Sequence, residues 1–265
     1  MRAAEALSLA YFLYLPLAGR LAGSRTPPGW VEVTAAALAA LAAGLHQLGT
    51  GPVVAVARDW APGAFLILAY WMSGPYVGVP AVALESRLLA LDCRLIGPVL
   101  RGLARHSPRA LLETLELAYL SCYAFVPAGL LWLVLAGAGE PDRFWTAVLV
   151  ASLPCYALLP WLHTRPPWRA EGIAPIDRRL LFVRRLNMTI LRHASVRANT
   201  FPSAHVASTV SAALMVAETL PVAGAGFLAV AAAIAVSTVA GRYHYGADAV
   251  LGVVLGVVGF LAGQM

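Results

Sequence analysis

The chain has 265 residues, of which 60% are apolar and 12% charged, and its mean hydropathy is +0.75. A soluble domain carries about 25% charged residues, so the composition excludes a disordered chain and argues against a soluble enzyme, because too little polar surface is left to coat a particle in water. All 19 basic residues are arginine and the formal charge is +6; the arginines lie between apolar runs, which points to anionic head groups or phosphorylated substrates rather than nucleic acid.

At roughly 20 residues per crossing, the length holds about six to eight helical spans. In chain order the apolar segments cover residues 6–21, 33–48, 62–80, 111–135, 144–162, 204–220, 222–240 and 245–263. The first two are short and contain Pro16 or His46. The expected fold is therefore an all-α, polytopic membrane helix bundle of six core spans, with up to two extra N-terminal hydrophobic segments. Residues 1–60 are expected to form that N-terminal part and 61–265 the main membrane-embedded domain. The many Gly and Ala of the last three segments predict closely packed helices.

Two polar stretches interrupt this pattern. Residues 81–109 place Arg87, Arg94, Arg101, Arg105 and Arg109 among leucines, as in an amphipathic helix lying in the interface. Residues 163–202 carry Arg165, Arg169, Arg178, Arg179, Arg184, Arg185, Arg192 and Arg197 against only Glu171 and Asp177. This stretch reads either as a cytoplasmic loop obeying the positive-inside rule or as a phosphate-attracting funnel. With all segments spanning, one face collects 16 of the 19 arginines, and Arg2, Arg58 and Arg143 remain on the other. The protein is expected to be a multi-pass membrane protein, with the arginine-rich face in the cytoplasm.

Ionisable residues at a membrane edge are candidates for function. Thr200-Phe201-Pro202-Ser203-Ala204-His205 opens one apolar helix. Pro and Ser favour a helix start there, and the first amides of the helix would form an anion site with His205 in the first turn. Arg242-Tyr243-His244-Tyr245-Gly246-Ala247-Asp248 opens the last helix. His244 and Asp248 are four apart and share a helical face, so the carboxylate can fix the imidazole tautomer and leave the other nitrogen as a nucleophile. Arg242 adds a permanent cation. Two intervening spans return the chain to the same face, so His205 and His244 can meet across one pocket. Cys122 and Cys155 read as small buried hydrophobes. Glu113 and Glu116 read as caps or partners of Arg109, and His106, His163 and His193 as solvated loop residues.

Phe201-Pro202-Ser203-Ala204-His205 resembles the PSGH motif of the type 2 phosphatidic acid phosphatase superfamily. Arg242-Tyr243-His244-Tyr245-Gly246-Ala247-Asp248 resembles its third motif, with core H-x-x-x-D, in the form seen in the branch of inositol-phosphorylceramide synthases. Arg165-Pro166-Pro167 resembles the end of its first motif. The resemblance implies His244 as nucleophile, Asp248 as its orienting carboxylate and His205 as proton donor to the leaving alcohol. It also implies a phosphate held by Arg165, Arg242, Ser203 and Ala204, with Arg169 as a further cation, and no metal or cofactor. The implied partners are a lipid phosphate and the bilayer. Leu158 stands where the family has Lys, Ala204 where it has Gly, and Thr238 where it has Arg. Position 238 shares a face with 242 on a continuous helix, so Arg242 would replace that cation. The implied activity is metal-independent lipid phosphate hydrolysis. The alternatives are transfer of a phosphorylated head group to another alcohol, or a non-catalytic lipid transporter or scaffold.

Overall fold

Apolar segments in lipid must pair every amide and carbonyl internally, so helices follow from the composition. The structure, a computed structural model, describes residues 1–23, 29–47, 51–170 and 181–265. Among these residues the helices are α1 (Ala3–Leu21), α2 (Gly29–Gly44), α3 (Pro52–Ser73), α4 (Val82–Leu95), α5 (Gly97–His106) and α6 (Arg109–Leu135). They continue with α7 (Pro141–Ala157), α8 (Pro167–Ala170), α9 (Phe182–Ala194), α10 (Ala204–Thr219), α11 (Pro221–Ala240) and α12 (Gly246–Ala262). One short ladder pairs β1 (His163–Thr164) antiparallel with β2 (Asn199–Thr200). The all-α bundle is as expected. Among the described residues four helices, at Gly29–Gln47, Pro52–Tyr76, Arg109–Leu135 and Pro221–Ala240, are long and apolar enough to cross a membrane. α12 is apolar but shorter, and α7 and α10 have 17 and 16 residues.

Two boundaries differ from the sequence reading. α3 begins at Pro52, preorganised at its first turn, and runs through Pro62 rather than starting there. Arg58 and Asp59 interrupt the apolar run, yet both charges are paired. Arg58 grips Glu5 with two bonds of 2.7 and 2.9 Å, and Arg2 reaches Asp59 at 2.6 Å. The arginine-rich stretch 81–109 is two main helices rather than one, because Pro98 has no amide to continue α4. Arg87, Arg94 and Arg101 are exposed on it, while Glu85, Leu88 and Asp92 form its buried face.

Charge organises the end of the bundle far from His244. Asp142 accepts the amides of Ala3 and Ala4 at 3.1 and 3.0 Å, countering the positive N-terminal end of α1. Arg143 binds Glu218, Gln264 and the carbonyl of Gly263 just past α12. Arg2, Arg58 and Arg143 thus lie together at that end.

α12 is pressed onto α10 and α7 through glycines. A Cβ at Gly252 would meet the Ser203 carbonyl at 2.8 Å and Val206 at 3.0 Å; one at Gly256 would meet Val210 at 2.7 Å. At Gly259 it would meet the Ala147 carbonyl at 2.3 Å. This is the close packing expected of the Gly-rich segments, and it sets where the start of α12 lies relative to α10. Trp145, Phe144, Phe12, Leu15 and Leu149 fill the core between α1, α3 and α7.

Candidate active site

The turn between α11 and α12 carries His244. α11 ends at Ala240, and the amides of Tyr243 and His244 both donate to the Thr238 carbonyl, at 2.9 and 3.0 Å. Arg242 is left-handed, with φ 60°, a conformation that costs an L-residue about 1 kcal/mol or more. The expectation that 238 and 242 lie on one continuous helix is therefore corrected: the helix stops between them, and the Thr238 hydroxyl bonds back to the Ala235 carbonyl.

The His244–Asp248 pair forms, but through a cap rather than a shared helical face. His244 precedes α12, and Asp248 in the first turn reaches back over it. Its Oδ2 lies 3.2 Å from His244 Nδ1 and accepts the Tyr245 amide at 3.1 Å and Asn199 Nδ2 at 2.7 Å. A carboxylate has no proton to give, so Nδ1 carries the hydrogen and Nε2 keeps its lone pair. Asn199 also binds the Thr164 hydroxyl at 3.0 Å, so the β1–β2 ladder ties the segment leading to Arg165 to this carboxylate.

Ser203 caps α10, its Oγ accepting the Val206 amide at 3.4 Å, while Thr200 Oγ1 accepts the Ala204 amide at 3.3 Å. Two first-turn amides expected to be open to an anion thus carry long internal bonds to hydroxyls. Pro202 lies before the cap, not inside the helix. Replacing Ser203 by Ala is expected to lower stability by about 1 kcal/mol, read as a fall in unfolding temperature in detergent.

His205 and His244 face each other edge to plane, with ring centroids 6.0 Å apart and an interplanar angle of 79°. Neither ring bonds the other. Tyr119 and Tyr123 stand edge-on to His205 at 5.7 and 5.6 Å, and Cys122 Sγ lies 3.6 Å from its Nδ1. Cys122 and Cys155 are buried and Cys93 is exposed.

The arginines arrive with carboxylates attached. Arg165 gives its amide, Nε and Nη2 to Glu85, with the Nη2 bond at 2.8 Å. Arg242 is buried and gives Nη1 to Asp92 at 3.0 Å. Burial pushes the Glu85 carboxyl up, but the bonds from Arg165 outweigh it and hold the group below the usual range. At Asp92 burial wins over Gly246 and Arg242, and the carboxyl lies above its usual value. Ala204 is buried at the start of α10, and Arg169 is exposed with its guanidinium 5.7 Å from the Trp168 ring centroid. Leu158, where the family places Lys, ends α7 on the surface. His163 is not a solvated loop residue: it is buried in β1, and burial holds its imidazole below the usual range.

Sequence reasoning missed Glu85, Asp92, Asn199 and the aromatic wall of α6. It also missed the role of Glu116. Arg184 bonds Glu116 at 3.3 Å and the Gly241 carbonyl at 2.8 Å, with its guanidinium 4.6 Å from the Tyr243 ring centroid. Asn187 bonds Glu116 at 2.9 Å, and Tyr243 stacks on Tyr119 at 3.7 Å. α9 is thereby fastened to α6 and to the turn beside His244. Glu113 accepts the amides of Phe182 and Val183 at the start of α9. The acids Glu85 and Asp92 were the one legible signal, spaced seven apart among leucines. Glu171, Asp177, Arg178 and Arg179 lie outside the described residues. Among the described residues no group of three or more His, Cys, Asp or Glu is arranged to hold a metal ion.

No curated protein and no solved structure matches the chain. The family described as the PAP2 superfamily matches residues 86–262, two thirds of its length and all of the histidine site. With both histidines, the capping Asp248 and Ser203 inside that match, the chain belongs to the PAP2 superfamily.

Proposed function

We propose that the protein is an integral membrane lipid phosphate phosphatase that works through a phosphohistidine at His244. The observation that carries this reading is the opposition of His205 and His244 at 6.0 Å, with Asp248 and Asn199 fixing the His244 ring. Members of the superfamily are generally phosphatases or phosphotransferases, and apolar helices of crossing length agree with a lipid substrate.

In the first step His244 Nε2 attacks phosphorus, the bond from phosphorus to the lipid oxygen breaks, and His205 gives its proton to the departing alkoxide. Asp248 stabilises the charge that develops on His244. In the second step water attacks the phosphohistidine, His205 takes the water proton, and phosphate leaves with Nε2 restored. Arg165, Arg242, Ser203, Ala204 and Arg169 form the phosphate-binding set, and no metal takes part. The bundle has six core spans, residues 61–265 hold the catalytic part, and the site opens at the cytoplasmic face of a bacterial cell membrane.

The test is phosphate release by purified protein in detergent from phosphatidic acid, polyprenyl phosphate and diphosphate, sphingolipid phosphate and phosphatidylglycerophosphate, with EDTA present. Release by wild type at an undiminished rate in EDTA is the expected result. Full dependence on an added divalent ion would overturn the metal-independent mechanism. The R-Y-H-Y-x-x-D form of residues 242–248 favours a second reading, transfer of the phosphorylated head group to another lipid alcohol. Product transfer without free phosphate, in a mixed donor and acceptor incubation, would select it.

A further inference from the structure

Two of the three arginines assigned above to phosphate, Arg165 and Arg242, are held from one helix that contains none of the motifs. α4 buries Glu85, Leu88 and Asp92, which follow one another at three and four residues and so share a face. Glu85 at one end takes the amide, Nε and Nη2 of Arg165. This fork engages one edge of the planar guanidinium and leaves its remaining N–H groups directed away from the carboxylate. Asp92, two turns on, does something different. Its Oδ2 takes Arg242 Nη1 at 3.0 Å and its Oδ1 takes the Gly246 amide at 2.9 Å. Those two partners stand two residues before and two residues after His244. One carboxylate therefore staples both ends of the five-residue turn that presents the imidazole, including the left-handed residue that the turn needs.

The two grips are connected. The Tyr245 hydroxyl donates to the Arg165 carbonyl at 3.1 Å, and the Ala81 amide at the head of α4 donates to the His163 carbonyl at 3.0 Å. α4, the β1 segment and the turn before α12 form one hydrogen-bonded frame. A Cβ at Gly246 would lie 3.1 Å from Asp92 Oδ1, so the amide comes that close only because no side chain stands in the way.

We propose that Asp92 and Glu85 are positioning residues for the phosphoryl chemistry: Asp92 sets the attack position of His244, and Glu85 sets the edge that Arg165 presents to phosphate. This rests on the histidine reading above. α4 is the brace of the site, and the two acids act on different steps. Displacing the turn by about 1 Å at the nucleophile costs up to about a hundredfold in rate, whereas loosening an arginine that holds ground state and transition state alike raises KM alone.

The experiment compares wild type, Asp92→Asn, Glu85→Gln and His244→Ala in detergent. Phosphate release from the preferred lipid phosphate gives kcat and KM per folded molecule, and the rise in unfolding temperature with added inorganic phosphate gives binding without turnover. The expected result is a kcat lower by about tenfold or more with near-wild-type KM for Asp92→Asn. Glu85→Gln is expected to raise KM several-fold at near-wild-type kcat and to reduce the phosphate-induced stabilisation. Wild-type kcat, KM and phosphate stabilisation in both variants overturn the brace while leaving the histidine mechanism intact. A loss explained wholly by a smaller folded fraction overturns it equally, since a purely structural contact changes the amount of enzyme and not its constants. A wild type that releases no phosphate, or a His244→Ala variant as active as wild type, overturns the histidine reading instead. In that case unequal phosphate stabilisation of wild type and Glu85→Gln still supports the grip on Arg165, and equal stabilisation overturns it.

Discussion

Replacing His244 with Ala is expected to lower phosphate release by at least about a thousandfold while the protein stays folded. The rate effect follows from removing the atom that forms the covalent bond, which nothing else in the pocket can supply: among the described residues His205 has no carboxylate partner and is met by Tyr119, Tyr123 and Cys122 instead. The fold should survive for a specific reason. Asp248 keeps the Asn199 amide and the Tyr245 backbone amide on the same oxygen that faces His244, so losing the imidazole still leaves that oxygen with two donors. Removing the neighbour His205 is expected to cost less, about a hundredfold to ten-thousandfold, because a general acid assists bond breaking that the phosphohistidine chemistry drives. Steady-state release and unfolding temperature measured on the same preparation check both parts. Turnover at the wild-type rate in His244→Ala would refute the mechanism outright.

The second large effect is expected from Gly252→Val. Its new side chain would begin 2.8 Å from the Ser203 carbonyl and 3.0 Å from Val206, on the backbone of the helix that carries His205. Backbone cannot rotate out of the way as a flexible side chain can, so α12 must move off α10. Overpacking of this kind costs about 1–3 kcal/mol in stability. The larger consequence is at the site. Ser203 donates its amide to the Asp248 carbonyl at 3.0 Å, so the same contact that Gly252 permits also sets Asp248 and His244 against His205. A shift of about 1 Å there is enough to lower turnover by about a hundredfold. Gly226→Val on α11 is the control, because a Cβ at that position meets nothing within 4 Å. Equal stability and activity in the two variants would show that the α10–α12 contact does not set the site.

The same contrast shows what could be read in the chain and what could not. Apolar runs of membrane length, the glycines of the last segment and the two histidine motifs are local properties of sequence, since hydropathy and motif spacing need no knowledge of neighbours. They led directly to an α-helical bundle with His205 and His244 at helix starts. Hydropathy places the start of α3 ten residues late because Arg58 and Asp59 look too polar for a helix in lipid, and only the approach of Glu5 on α1 and of Arg2 just before it makes them tolerable. Arg242 was assigned to phosphate from its charge, but its burial against Asp92 depends on a partner 150 residues away. His163 looked like a loop residue because the pairing of β1 with β2 joins segments that are distant in sequence.

By itself, then, the sequence determined that this is a helical membrane protein of the PAP2 superfamily with a histidine pair and an Asp at fixed spacing, because hydropathy and motifs are written locally. Only the tertiary structure decided that Asp248 works as a cap, that Asn199 completes its hold on His244, and that Glu85 and Asp92 grip Arg165 and Arg242. Those are contacts between remote segments, and the glycine face of α12 sets how closely that helix approaches α10 and α7.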